Sequence, residues 1–209
     1  YRAIIDRFES GQSDLLVGTQ MITKGLDFDR VSVVGILSAD QMMNFPDFRA
    51  HERAFQMMEQ VSGRAGRKNK KGVVVLQTSD PSSPLIQQVI AHDYEGMYNR
   101  QLAERKAFSY PPYTRLIYIY LKHRDETLLQ ELAVRYTTAL REVFGSRVLG
   151  PDNPPVARIQ SLYIRKVVLK MELAASMSRV KEILRQVYEN MLVDDRFKSL
   201  LLYYDVDPL

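Results

Sequence analysis

The stretch "VSVVGILSAD" (residues 31–40) is an apolar run without alternation, closed by small and polar residues. Strands covered on both faces read this way, whereas half-exposed strands alternate. "DLLVGT" (14–19) and "GVVVLQT" (72–78) have the same character. Between the last two lies "DFRAHERAFQMMEQVSGRAG" (47–66), which sets Phe55, Met58 and Val61 at helical spacing. Strand, helix and strand in succession predict an α/β layer built on a parallel sheet. Upstream, "YRAIIDRFESGQ" predicts a helix with Ile4, Ile5 and Phe8 on one side, stopped by Gly11. Downstream, the turn cluster "SDPSSP" precedes a long polar helix expected from about Leu85 to Lys106.

The pattern changes at "SYPPY" (109–113), where paired prolines interrupt any helix. A boundary near Phe108 divides the chain into residues 1–108 and 109–209. In the second part "TRLIYIYLKH" alternates like a half-exposed strand, and "DETLLQELAVRYTTALREVFG" is an amphipathic helix ended by Gly145. "RVLGP" is a short strand and "ARIQSLYIRKVVLKMEL" a longer one, expected to bend near Ser161. "SMSRVKEILRQVYENM" is a helix capped by Ser176 or Ser178, and "KSLLLYYDVDP" a last strand. The order β-α-β-β-α-β is the ferredoxin-like plan, an α+β domain.

The bulk numbers set limits on function. With 209 residues, 45% hydrophobic and 26% charged, the chain has the composition of a soluble globular protein. No apolar run approaches the length of a membrane span, so no membrane partner is expected. Zero cysteines exclude disulfides and thiolate metal sites within the chain and fit a reducing cytosol. A net charge of +4 leans towards polyanions, although a bland basic surface gives the same number. Tyr1, not Met, opens the chain with a helical pattern already running, so a segment of a longer protein is expected. His51, His92 and His123 are scattered, without metal-ligand spacing.

Two stretches are more specific than composition. In "LLVGTQMITKGLDF" (15–28), a strand end followed by Gly18-Thr19 offers a hydroxyl and a backbone N–H to a nucleic-acid phosphate. Gly25 permits close backbone approach, and Asp27 can reach a ribose hydroxyl or orient an arginine. In "QVSGRAGR" (60–67), Gly63 and Gly66 leave Arg64 and Arg67 free to point into a cleft. Arginine presents fixed donors that match phosphate oxygens and keeps its charge. Gln60 can hold a nucleotide or water in register. No Gly-rich loop with Lys-Ser/Thr accompanies them. Lys68, Lys70 and Lys71 read better as an exposed turn than as a DNA contact.

The two stretches, in this order, resemble motifs V and VI on the second lobe of superfamily 2 helicases. The run "SADQMMNFPDFRAHERAFQMMEQVSGRAGR", with "SYPPYTRLIYI" and "YYDVDP", resembles the primosomal replication-restart helicases, and the resemblance covers essentially the whole chain. It implies a partial RecA-like lobe 2 followed by the C-terminal domain of a bacterial, cytoplasmic, ATP-dependent 3′-to-5′ DNA helicase that assembles a primosome at stalled forks and D-loops. ATP and Mg²⁺ would be bound mainly by the other lobe, and the family's zinc ligands would precede Tyr1. Arg67 would be the arginine finger, Arg64 a second phosphate contact, Gln60 a nucleotide or water positioner, and Thr19 a DNA-backbone contact. Gly25 and Asp27 would couple the lobes to ATP.

In the C-terminal part Arg158, Tyr163, Arg165 and Lys166 interleave cation and aromatic, as surfaces that stack bases and neutralise phosphate do. A solvated strand face would look similar. The resemblance implies branched and single-stranded DNA as partners, together with primosome loader proteins and single-stranded DNA-binding protein, whose acidic tail Arg179 would meet. Asp40, Arg49, Glu52 and Arg53 fit salt bridging along a helix as well as a functional role, and Asp205 and Asp207 fit strand ends and turns. For the isolated chain the alternative reading is a binding module without chemistry. A lobe with three strands also leaves apolar sheet surface open, so self-association through it is expected.

Overall fold

The computed structural model describes residues 2–19, 31–63, 65 and 72–208. The chain divides into two compact units, Tyr1–Leu102 and Ala103–Leu209, the division falling within one helix.

The first unit opens with α1 (Arg2–Glu9) and continues with β1 (Val33–Ile36), α2 (Ala39–Met43), α3 (Ala50–Ser62) and β2 (Val73–Leu76). It then runs through α4 (Pro84–Ile90) into α5 (Tyr94–Ala107). Strands β1 and β2 pair in parallel, Val33 beside Val73 and Ile36 beside Leu76, as the apolar runs predict. The expected strand of 31–40 is shorter. Ser38, at φ 54, turns the chain, and the Ala39 N–H donates to the Gln77 carbonyl at 3.0 Å, starting α2 at the end of the sheet. Phe55 and Met58 of α3 are buried with Ile36, Leu85, Ile86, Val89 and Met97.

Three expectations for this unit are corrected. Residues 15–19 form no strand, and Leu15 and Val17 are both 77% exposed, since no described strand offers them a ladder partner. The β1–β2 sheet is also not covered on both faces, because Val33, Val73 and Val75 stand exposed together on one of them. The long polar helix is two helices. His92, at φ 54, ends α4 as the Asp93 N–H reaches the Gln88 carbonyl and the His92 N–H reaches that of Val89. This left-handed stop resolves the helix's last carbonyls. The Asp93 carboxylate then accepts from the Gly96 N–H at 2.8 Å and starts α5.

The second unit contains β3 (Thr114–His123), α6 (Glu126–Phe144), β4 (Val148–Asp152), β5 (Arg158–Ile159), β6 (Leu162–Glu172), α7 (Met177–Met191) and β7 (Leu201–Val206). The strands form a five-stranded sheet in the order β4-β6-β3-β7, with β5 folded onto β6, and every pairing is antiparallel. Counted without β5, this is the strand order of the ferredoxin-like plan. Asp125 caps α6 by accepting from the Leu128 N–H at 2.9 Å, and Ser176 caps α7. The strand expected to bend near Ser161 is a tight hairpin: Ile159 pairs with Leu162, and Gln160 takes φ 52 at the corner.

Both helices cover one face of this sheet. Leu129, Leu132, Tyr136 and Leu140 of α6 and Val180 and Leu184 of α7 pack on Ile117, Ile119, Leu121, Val167 and Leu169. Tyr136 is wholly buried, and its hydroxyl is 2.9 Å from that of Tyr204. A β-bulge interrupts β4 between Leu149 and Asp152. There Gly150 sits at φ 103, and a Cβ on it would lie 2.7 Å from the Lys166 carbonyl. Glycine is needed here for the backbone angle and for space.

Candidate nucleic-acid interface

Strand residues alternate between the two faces of a sheet, and in β3 this splits the side chains cleanly. Ile117, Ile119 and Leu121 enter the core, so Tyr118, Tyr120 and Lys122 stand on the face that the helices leave open. The ladder sets Lys166 of β6 beside Tyr120 on one side and Tyr203 of β7 on the other. The Tyr120 and Tyr203 rings stack, with centroids 4.8 Å apart and planes 15° from parallel. Tyr118 stands edge-on to Tyr120 at 6.3 Å.

Each end of this aromatic group carries a cation. The Lys166 ammonium lies 3.3 Å above the Tyr118 ring, and the Lys122 ammonium lies 4.7 Å above Tyr203. Farther along β6, Lys170 sits 3.8 Å over the Tyr110 ring and donates to the Phe108 carbonyl at 2.6 Å. Burial holds the Lys170 ammonium below the usual lysine pKa. Two carboxylates border the face, Asp205 paired with Tyr118 and Asp152 paired with Lys166. Burial, with Asp205 nearby, raises the Tyr203 hydroxyl above its ordinary value, so it stays a neutral donor.

The sequence-predicted residues of this unit separate. Lys166 belongs to the open face. Arg165, its neighbour, points to the helix side and is 7% exposed. It pairs with Glu126 at 3.0 Å and donates to Gln130 at 2.7 Å, both on α6. Its placement beside Lys166 in one interface is therefore corrected: a two-residue period puts adjacent residues on opposite faces. Arg158 lies 4.7 Å over the Tyr163 ring, and Tyr163 packs against the core, so this pair braces the β5–β6 hairpin. Arg179 projects from the first turn of α7 with a side chain 72% exposed, 3.5 Å from Glu182. Ile183, a turn later, packs on the core.

In the first unit, Thr19 is exposed in irregular chain and Gln60 is exposed in the last turn of α3. Gly25, Asp27, Arg64 and Arg67, with Lys68, Lys70 and Lys71, lie outside the described residues. Asp40 is a structural residue: it accepts from the Thr78 hydroxyl at 2.6 Å and the Ser79 N–H at 2.8 Å, tying α2 to the segment after β2. These bonds hold its carboxyl below the usual range, that from Thr78 most strongly. Arg53 pairs with Asp47 at 3.0 Å, and Glu52 accepts from Gln56 at 3.3 Å. Among the described residues no group of three or more His, Asp or Glu could hold a metal ion.

Tyr118, Tyr120, Lys122 and Tyr203 were not singled out by sequence reasoning. For the first three the signal is present in "LIYIYLK", where the polar partner of the alternation is tyrosine, twice, and then lysine.

Residues 106–209 match the family model described as the primosomal protein N C-terminal domain, and residues 2–69 match the helicase conserved C-terminal domain. The replication restart protein PriA of Bacillus subtilis (strain 168) is 37% identical over 210 residues, spanning 100% of this chain and 26% of that protein. That of Synechocystis is also 37% identical, over 217 residues, spanning 100% of this chain and 24% of its own length. The Treponema pallidum protein of the same name is 35% identical over 210 residues, 98% of this chain and 31% of the relative. The chain thus spans roughly a quarter of the length of the curated relatives it matches.

Proposed function

Since the chain belongs to the PriA family of replication restart proteins, with a helicase C-terminal segment followed by the family's own C-terminal domain, we propose that it supplies half of a composite ATP site and a DNA-contacting domain to a 3′-to-5′ DNA helicase. The observation that carries this reading is the alignment along the whole chain, with both family models matched in that order. Such an enzyme acts at stalled forks and D-loops and assembles a primosome there.

In this reading Arg64 and Arg67 reach across a lobe interface to the phosphates of ATP, held with Mg²⁺ by residues outside this chain. An arginine directed at the γ-phosphate stabilises charge that grows in the transition state, a contribution on the order of 10³- to 10⁵-fold in rate. Gln60 keeps the nucleotide or the attacking water in register. Gly25 and Asp27 link that site to the DNA, and Thr19 donates to the DNA backbone. Zinc ligation belongs to another part of the protein, as this chain has no cysteine. The exposed Arg179 meets the acidic tail of single-stranded DNA-binding protein, and loader proteins join the same assembly. The chain alone has no ATPase activity. No helix among the described residues is long and apolar enough to cross a membrane, which suits a bacterial cytoplasmic enzyme.

The test is DNA-stimulated ATP hydrolysis by the full-length protein carrying Arg67→Ala. A fall on the order of 10³-fold is expected for a lost arginine finger. Unchanged turnover would overturn the assignment.

A further inference from the structure

We propose that the open face of the β4-β6-β3-β7 sheet is a stacking platform for the unpaired bases of a single DNA strand, with Tyr118, Tyr120 and Tyr203 as the rings and Lys122 and Lys166 as the phosphate contacts. The proposal deepens the reading of this chain as part of a DNA-handling enzyme and rests on it for the choice of DNA as the polyanion.

Three features carry it. The rings come from two adjacent strands and form one continuous group, Tyr118 to Tyr120 at 6.3 Å and Tyr120 to Tyr203 at 4.8 Å. Tyr120 and Tyr203 cover one face of each other, so the ring faces on which a base can lie are those under the lysines at the two ends of the group. The helices and the apolar core cluster occupy the opposite face of the sheet. Tyr203 remains 42% exposed, and Tyr118, Tyr120, Lys122 and Lys166 are half-buried.

The lysines explain how the face stays soluble without a ligand. Each ammonium lies over an end ring of the group, Lys166 on Tyr118 and Lys122 on Tyr203. Stacking of a base on an exposed ring is ordinarily stronger than an exposed cation–π contact. A base therefore displaces the ammonium, which swings on its flexible stem to the phosphate of that nucleotide. The same two side chains shield the rings in the free protein and bind the backbone in the complex.

A single strand fits better than a duplex, because a duplex keeps its base faces stacked on one another and offers this surface only phosphates. It also fits better than an acidic peptide. Carboxylate side chains have no flat apolar face to lay on a ring, so an acidic peptide would leave the tyrosines without stacking partners.

The experiment is fluorescence-anisotropy titration of this chain with a dye-labelled oligothymidine, an abasic oligonucleotide of equal length and a duplex. Affinity for oligothymidine should exceed that for the abasic strand on the order of tenfold, the difference being the stacked bases. Tyr120→Leu should remove that margin and Tyr120→Phe should keep it. Lys122→Gln with Lys166→Gln should weaken both single strands and flatten the salt dependence. Equal binding of abasic and thymidine strands overturns the proposal without relying on any variant that must fold. So does oligothymidine binding untouched by Tyr120→Leu. These results leave the ATPase assignment alone, which stands or falls on Arg67→Ala in the full-length protein.

Discussion

Arg115, near the start of β3, donates through Nε to the Asp207 carboxylate at 3.0 Å, just beyond the end of β7. The Asp207 N–H donates to the Leu116 carbonyl at 2.8 Å, and the second Asp207 oxygen accepts from the Leu116 N–H at 3.3 Å. One residue thus closes the last strand of the sheet onto a central one. Asp207 does this at φ 51, a left-handed conformation that aspartate and asparagine tolerate better than other side chains. The side chains are partly exposed, so the charge itself contributes little. Asp207→Ala should lower stability by about 1–2 kcal/mol, from a lost backbone acceptor and a strained alanine. Asp207→Asn should cost less than half of that. Urea midpoints of the two variants check the order.

A sharper assignment concerns neighbours in sequence. Arg165→Met should destabilise the second unit by about 1–2 kcal/mol through loss of charge-assisted bonds to Glu126 and Gln130. Lys166→Gln should cost less stability than that and weaken nucleic-acid binding. Thermal unfolding and a binding titration on the same two proteins separate the roles.

That contrast also marks how far the sequence was legible. The apolar runs around β1 and β2 announced a parallel pair, and the alternation in "TRLIYIYLKH" announced a sheet with one covered face. The ferredoxin-like order followed from counting elements. Side-chain direction within one strand is equally available from the two-residue period, and it separates Arg165 from Lys166, which the interleaving of cation and aromatic had placed in one surface. The turns were harder. Ser38, His92 and Gln160 all take positive φ without being glycine, and the local letters give little warning of it. The α4–α5 break rests on His92 adopting that angle while Asp93 caps the next helix, two weak signals that act only together. The arginines that carry the ATPase proposal were read from spacing and family resemblance, and Arg64 and Arg67 lie outside the described residues.

Acid should unfold the second unit through its carboxylates. Bonds from Arg196, and then from Arg135, hold the Asp194 carboxyl far below the ordinary aspartate range, and Arg115 lowers that of Asp207. Folded pKa values below the unfolded ones bind fewer protons, so this stabilisation is present above about pH 4 and is lost as pH falls through the folded values. Denaturant midpoints measured from pH 7 to pH 2 should drop at the acid end, and Asp194→Asn should flatten the drop. A parallel pair of curves would show that Asp194 is not a source of the acid sensitivity.

The Tyr136–Tyr204 pair should behave as a unit. Tyr204→Phe strands a hydroxyl on a wholly buried ring and should cost about 1–3 kcal/mol. Adding Tyr136→Phe removes the stranded group and should recover most of the loss. A double-mutant cycle by chemical denaturation gives the coupling directly, and strictly additive losses would contradict it.

In the first unit, Val33, Val73 and Val75 form an exposed apolar face on a parallel pair of strands. This chain should self-associate there as concentration rises, and Val73→Lys with Val75→Lys should return it to a monomer. Light scattering across a concentration series decides, and a monomer throughout would contradict the expectation.

Gly150 belongs to the edge strand, and its backbone sits where a single methyl group would press on the carbonyl of Lys166. Relieving that pressure means shifting the edge strand or the very residue whose ammonium covers Tyr118. A genetic selection for lost nucleic-acid binding would therefore return Gly150 substitutions among its hits. Such hits would mark a defect in alignment, reached without any change to the rings or the lysines.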